Sequence, residues 1–317
     1  MNVVVTGAAG FVASYLIPLL LDHGHSVVGI DPVAPSSMEM WRTHGFAEHP
    51  DFRYVWGASQ DIEHLLKLEG VLPDMVVNLG AATDVPYSAR SPRHAYSQVY
   101  EASAAVAGYC TERHVRLIHY STFSVYGRGH AQPIMESVPL HPGSPYGAAK
   151  AAVEHLINSA EETGNLDAVV LRPASMFGPR ERPTGLVSLL LRRARDGQVI
   201  MLEGGGRQSR DLNPVGNVVE LTLATVEHWP LYPALRRIYN VGSGEEITIR
   251  DLASRCLTAF GRTLDEGSRE APPRAWEEGR VLLDNRAAQE ELGYRPTISF
   301  EEEFERTVQW IAGQSKS

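Results

Sequence analysis

Tyr146-Gly147-Ala148-Ala149-Lys150 sets a phenol and an ammonium four positions apart. On a helix that spacing puts both side chains on one face, one turn from each other. A phenol with a pKa of about 10 is a poor base at neutral pH. A cation held beside it favours the phenolate, so the pair could take a proton from a substrate hydroxyl. The motif alone is common by chance. Here it follows Tyr120-Ser121-Thr122-Phe123-Ser124-Val125-Tyr126-Gly127 at the end of an apolar run, where Thr122 offers a hydroxyl to share the proton and hold a substrate oxygen. Without a partner base, a hydroxyl in such a place reads simply as a cap.

A second constellation lies at the start of the chain. Residues 1–5 read as a buried strand, and Thr6-Gly7-Ala8-Ala9-Gly10-Phe11-Val12-Ala13 turns from it into a helix. Glycines allow a tight turn and let main-chain N–H groups approach a pyrophosphate at the helix N-terminus, where partial positive charge lies. Asp31 closes the next predicted strand, where a carboxylate can hold both hydroxyls of a ribose. No Arg or Lys follows it until Arg42, so no cation stands ready for a 2′-phosphate, and the expected cofactor is NAD rather than NADP. Taken singly, the turn also reads as a plain strand-to-helix connection and Asp31 as a cap or turn residue.

Groups so far apart in the chain need a scaffold that brings strand ends together. Apolar runs alternate with helical patterns through the first half. The pattern predicts helices over 11–23, 61–68, 92–114 and 145–163, and strands over 26–30, 52–55, 75–79, 117–120 and 168–171, with a Pro/Gly loop over 127–144. Six or seven parallel strands covered by helices make an α/β fold with a doubly wound Rossmann sheet. Beyond Arg172 the pattern loosens into Gly and Pro loops with short helices over 185–196, 215–229 and 250–260, which predicts a smaller C-terminal α/β lobe. The expected division is a dinucleotide-binding domain of residues 1–173, to which about 213–243 return, and a substrate lobe of 174–212 and 244–312, with the substrate pocket between them.

The chain has 317 residues, 43% of them hydrophobic and 21% charged, which suits a well-packed globular protein and excludes disorder. Its formal net charge of −9 argues against a nucleic-acid or anionic membrane surface, though not against a local anion pocket. Two cysteines, Cys110 and Cys256, cannot build a disulfide framework or a CxxC metal site, and no basic leader or membrane span is visible, so a cytoplasmic protein is expected. The 12 histidines show no metal spacing, and single ones such as His119 read as hydrogen-bonded structural residues.

With these motifs the sequence resembles the extended short-chain dehydrogenases/reductases, the NAD-dependent epimerase/dehydratase group acting on nucleotide sugars. The resemblance covers about residues 1–312. It includes Asn78-Leu79-Gly80-Ala81-Ala82, Leu171-Arg172-Pro173 through Phe177-Gly178-Pro179-Arg180, Gly204-Gly205-Gly206-Arg207-Gln208-Ser209-Arg210-Asp211, Tyr239-Asn240-Val241-Gly242-Ser243-Gly244 and Glu291-Leu292-Gly293-Tyr294-Arg295-Pro296. It implies Tyr146 as catalytic acid/base, Lys150 as its partner and Thr122 as the third member of a triad. It also implies NAD contacts from Gly7, Gly10, Phe11, Val12, Asp31, Ala81, Ala82, Tyr146, Lys150 and Pro173. On the substrate side it implies Thr122, Ser175, Arg180, Arg182, Arg210 and Arg274, each arginine alone also reading as a solvated surface charge. No metal is implied.

Several positions depart from the family pattern: Ala13 for a third glycine, Gly57-Ala58 for a Gly-Asp that contacts adenine, and Ser175 for a frequent Asn. Gly216-Asn217 stands for an Asp-Asp pair, and Gln98-Val99 or Val99-Tyr100, depending on register, for an Asn-Val. Dehydratases of the family carry Asp-Glu after the triad threonine, and decarboxylases commonly a Glu nearby. Here those positions are Phe123 and Ser124, neither an acid nor a base at neutral pH. The expected activity is therefore a nucleotide-sugar 4-epimerase. A decarboxylase, dehydratase or 4-keto reductase of the same family is the alternative, and a non-catalytic dinucleotide-binding regulator is a further one. By the same resemblance the helices over 92–114 and 145–163 would form a homodimer interface.

Overall fold

The computed structural model describes residues 1–35, 46–81, 85–229, 238–273 and 279–314. Within them, in chain order, lie strands β1 (Asn2–Thr6), β2 (Ser26–Asp31), β3 (Phe52–Trp56), β4 (Met75–Asn78), β5 (Arg116–Tyr120), β6 (Ala168–Pro173), β7 (Ser175–Phe177), β8 (Ile200–Glu203), β9 (Ser209–Pro214), β10 (Ile238–Val241), β11 (Glu246–Thr248) and β12 (Ser268–Ala271). Seven of them form one sheet in the order β10-β6-β5-β4-β1-β2-β3. β1 through β6 pair in parallel, as predicted, and the 3-2-1-4-5-6 run is that of a doubly wound Rossmann fold. The strands read as unbroken apolar runs because helices cover both faces; β4 and β6 are buried at every position.

The chain divides into two compact units. The first comprises Met1–Val125, Leu140–Arg172 and Val219–Tyr239. Its core packs Val4, Val76, Leu117 and Val170 of the sheet against Val106 and Cys110 of the Ala102–Arg113 helix and Val153 and Ile157 of the Pro145–Glu162 helix. The second comprises Tyr126–Pro139, Pro173–Val218 and Asn240–Ser317. It has its own core, in which Phe177, Leu191, Leu212 and Leu252 meet Phe304 and Ile311 of a C-terminal helix, Phe300–Ala312, that the sequence reading left out. Its smaller sheets are β11-β9-β7 and β12-β8.

The helix predicted over 92–114 is not one α-helix. Pro92–Ala95 is α-helical, Tyr96–Glu101 is a π turn, and Ala102–Arg113 resumes the α-helix until His114 closes it in the left-handed conformation with φ 53°. Such π turns insert an extra residue and re-aim side chains. Within this one Val99 is buried against Tyr146 and Ala149 while Gln98 is exposed. Both cysteines are free and buried. Among the described residues, no helix is long and apolar enough to cross a membrane, and no group of His, Cys, Asp or Glu is arranged to hold a metal ion.

Candidate active site

The Gly7–Gly10 turn and Asp31 meet directly. Gly7 N and Ala8 N donate to Ile30 O at 2.9 and 3.3 Å, and Ala9 N donates to Asp31 Oδ2 at 3.1 Å. Gly7 has φ +71°, and a Cβ there would lie 2.8 Å from Gly80 N, so only glycine lets the turn press against the end of β4. Phe11 and Val12, half-buried, lead into the Ala13–Asp22 helix, whose first N–H groups have no partner within the helix. Ala13 is fully buried, so its methyl is accommodated where the family more often has glycine. Asp31 is only 6% exposed; burial raises its pKa, while hydrogen bonds from Val33 N and Ala9 N act in the opposite sense. A tight glycine turn at the start of a helix and a carboxylate beside it fit the diphosphate and ribose of NAD.

The Pro145–Glu162 helix begins with Ser144 Oγ accepting from Gly147 N at 3.1 Å and with Pro145 in its first turn. A Cβ on Gly147 would sit 2.6 Å from Ser124 O, so glycine brings the helix start against the Phe123–Val125 turn that follows Thr122. Thr122 is buried and its Oγ1 accepts from Ser124 N at 3.2 Å, leaving its O–H to donate elsewhere. Tyr146 is buried in the cluster with Val99 and Ala149, against which Ala81 packs. Lys150 donates from Nζ to Tyr120 O at 2.6 Å, which leaves two of its three N–H donors.

One turn further along, Glu154 extends the Tyr146 and Lys150 stripe, a continuation of the same four-residue spacing that the sequence reading did not use. Its carboxylate is fully buried, accepts from Ser121 Oγ, and is held by Arg172 Nε at 3.1 Å from each oxygen. Lys150 and Glu154 therefore bolt this helix to the end of β5, just before Thr122.

A second group missed from sequence runs across the sheet. Thr6, Asn78 and His119 are register partners on β1, β4 and β5. Thr6 Oγ1 donates to Asn78 Oδ1 at 2.7 Å, so Asn78 Nδ2 is the donor toward His119 Nδ1 at 3.1 Å. His119 was expected to be a fully hydrogen-bonded structural residue. Instead only Nδ1 is engaged and Nε2 is buried without a partner. Burial and the Lys150 charge keep the ring neutral, its pKa well below the usual histidine value. An imidazolium here would be a second buried cation beside Lys150.

Burial pushes the Lys150 ammonium down to about 8, with Glu154 acting in the opposite sense. The unfolded chain keeps that proton to about 10.4. Between these values the unfolded state binds more protons than the folded one, so stability rises with pH from about 8 to about 10.4. In urea unfolding at pH 7.5, 9 and 10, the stability difference between wild type and Lys150→Met is expected to change by about 2 kcal/mol from the first pH to the last. A flat difference would mean that another group titrates there.

Thr122 lies in the first unit; the cofactor candidate Pro173 and the other substrate-side candidates within the described residues, Ser175, Arg180, Arg182 and Arg210, lie in the second. Pro173 is buried at the end of β6, and Ser175 is half-buried on β7, paired with Leu212 of β9. Arg210, on β9, is 8% exposed and donates from Nη1 to Ser209 O at 2.8 Å, so it is no solvated surface charge. Arg180 is half-buried with φ 71°, a conformation uncommon outside glycine, and Arg182 is exposed. Ala82 and Arg274 fall outside the described residues.

Known proteins match this arrangement along the whole chain. A UDP-glucose 4-epimerase of Mycolicibacterium smegmatis is 31% identical, covering 100% of both chains. A dTDP-glucose 4,6-dehydratase of Streptomyces antibioticus is also 31% identical, over 98% of this chain and 92% of its own. Among solved structures, a dTDP-glucose 4,6-dehydratase double mutant from Streptomyces venezuelae with NAD bound superposes with a TM-score of 0.89 at 27% identity, covering 99% of this chain and 97% of that one. The family described as "NAD dependent epimerase/dehydratase family" matches residues 3–242. The chain is a member of the NAD-dependent epimerase/dehydratase family, with NAD as its cofactor.

Proposed function

We propose that this protein is a nucleotide-sugar 4-epimerase. The observation that carries the reading is the turn after Thr122, where Phe123 and Ser124 stand. Removing water from the sugar next to the oxidised carbon needs an acid and a base, and neither residue supplies one. The buried carboxylate of Glu154 is not a substitute, because Arg172 and Ser121 already occupy it.

NAD, when bound, supplies the hydride acceptor and donor. In this reading Tyr146 takes the proton of the sugar 4-hydroxyl and later returns it. Lys150 holds the phenolate by its charge, and Thr122 donates its O–H to the same sugar oxygen. Gly7, Gly10, Phe11, Val12, Asp31, Ala81, Ala82 and Pro173 hold the cofactor, while Ser175, Arg180, Arg182, Arg210 and Arg274 hold the nucleotide sugar, planar guanidinium groups being suited to its diphosphate. The first unit is thus read as the cofactor domain and the second as the substrate lobe. We also read the enzyme as a cytoplasmic homodimer, with exposed Ala148, His155 and Leu156 of the Pro145–Glu162 helix as part of the contact.

The test is incubation of the purified protein with UDP-glucose, UDP-N-acetylglucosamine and dTDP-glucose, followed by proton NMR. The expected result is a C4 epimer with no net change in NADH. A 4-keto-6-deoxy product would assign the dehydratase activity instead.

A further inference from the structure

The loop that leaves Asp31 is held by two aromatic residues of the neighbouring strand. β3 runs beside β2 with Gly29 opposite Tyr54 and Asp31 opposite Trp56. Strand alternation puts Tyr54 and Trp56 on the same face of β3. The Tyr54 hydroxyl reaches Asp31 O at 3.0 Å and Val33 O at 2.5 Å, and the Trp56 indole N–H donates to Pro32 O at 2.9 Å. Gly57 N adds a further bond to Asp31 O at 3.1 Å. The single Tyr54 O–H is shared between the Asp31 and Val33 carbonyls, the Trp56 N–H holds the Pro32 carbonyl between them, and Val33 N turns back onto Asp31 Oδ1 at 2.9 Å.

Trp56 is 64% exposed, so apolar burial does not account for its position. We propose that Tyr54 and Trp56 form a clasp that selects NAD over NADP by holding the Asp31 carboxylate rigidly in place for an unsubstituted ribose. A 2′-phosphate would bring about two negative charges against that carboxylate. Admitting it requires residues 31–33 to swing away, and the swing breaks the bonds from Tyr54 and Trp56. Arg53, which precedes Tyr54 on β3, is exposed and paired with Glu69. The clasp is a positioning device, and it rests on NAD binding alone, whichever sugar is turned over.

Calorimetric titration of the full chain with NADH and, separately, NADPH reads this directly in wild type, Tyr54→Phe, Trp56→Phe and Tyr54→Phe/Trp56→Phe. Tyr54→Phe keeps the ring and removes only the donor, Trp56→Phe removes the donor while exchanging the indole for a smaller aromatic ring, and the exposed Trp56 change preserves the fold even should the Tyr54 change not. NADH affinity is expected to fall about 5- to 10-fold in each single variant, a loss on the scale of one hydrogen bond. NADPH affinity should hold or improve, so that the ratio falls at least about tenfold in the double variant. With saturating NAD, kcat should be unchanged while the KM for NAD rises. Equal weakening of both cofactors, or no change in either, overturns the proposal.

Discussion

Tyr146→Phe is expected to lower the rate of the proposed C4 epimerisation by about 10²- to 10⁴-fold, the usual contribution of a positioned acid/base. The variant keeps the ring that packs with Val99 and Ala149, so stability should move by only about 1 kcal/mol and bound NAD should stay. NMR assay of the sugar product, with absorbance for retained nucleotide, separates the outcomes. A variant that keeps more than a tenth of the activity would remove Tyr146 from the chemistry and favour a dinucleotide-binding role. Loss of NAD together with activity would instead point to a structural defect.

Arg172→Met is expected to cost about 3–5 kcal/mol of stability, because it leaves the Glu154 carboxylate buried and uncompensated. Glu154→Leu should cost a similar amount by stranding Arg172. The double variant Glu154→Leu/Arg172→Met should be far less destabilised than the sum, since a buried pair replaced by apolar groups is often near neutral. Urea unfolding of the three variants measures the coupling. Additive losses would show that the pair is not energetically linked. The double variant should still be a poor enzyme, because Glu154 also raises the Lys150 pKa and anchors Ser121 beside Thr122.

The two predictions differ in how visible their residues are in the sequence. Tyr146 and Lys150 lie within one helical turn, so their spacing alone put them on one face. The Gly7–Gly10 turn and Asp31 are likewise legible, since the first lies between an apolar run and a helix and the second ends the next run. Glu154 continues the same helical stripe, yet nothing near it in the chain names its partner: Arg172 is 18 residues on, across a loop and on another strand.

Strand register decided what the chain order could not. Thr6 and Asn78 are 72 residues apart and Asn78 and His119 are 41, yet parallel pairing makes them neighbours. His119 looked like any satisfied histidine until its second nitrogen was found buried and unpartnered. The helix over 92–114 could not be foreseen as broken, because a π turn preserves helical periodicity on either side and shows itself only in which residue, Val99, faces Tyr146. In one dimension Arg210 is the first choice among the candidate anion ligands, and each arginine reads equally as a solvated charge; the fold buries Arg210 and exposes Arg182.

By itself the sequence determined what local periodicity and composition can carry: alternating βα units, a glycine turn after the first strand and a carboxylate ending the second, a phenol and an ammonium one turn apart, and the lack of an acid after Thr122. The tertiary structure decided which polar groups are buried together, and hence their charge states: a lysine brought down to about 8, a histidine kept neutral, and a carboxylate locked to an arginine. The physical reason is that spacing along the chain sets direction, whereas desolvation and Coulomb energy depend on neighbours that only folding supplies.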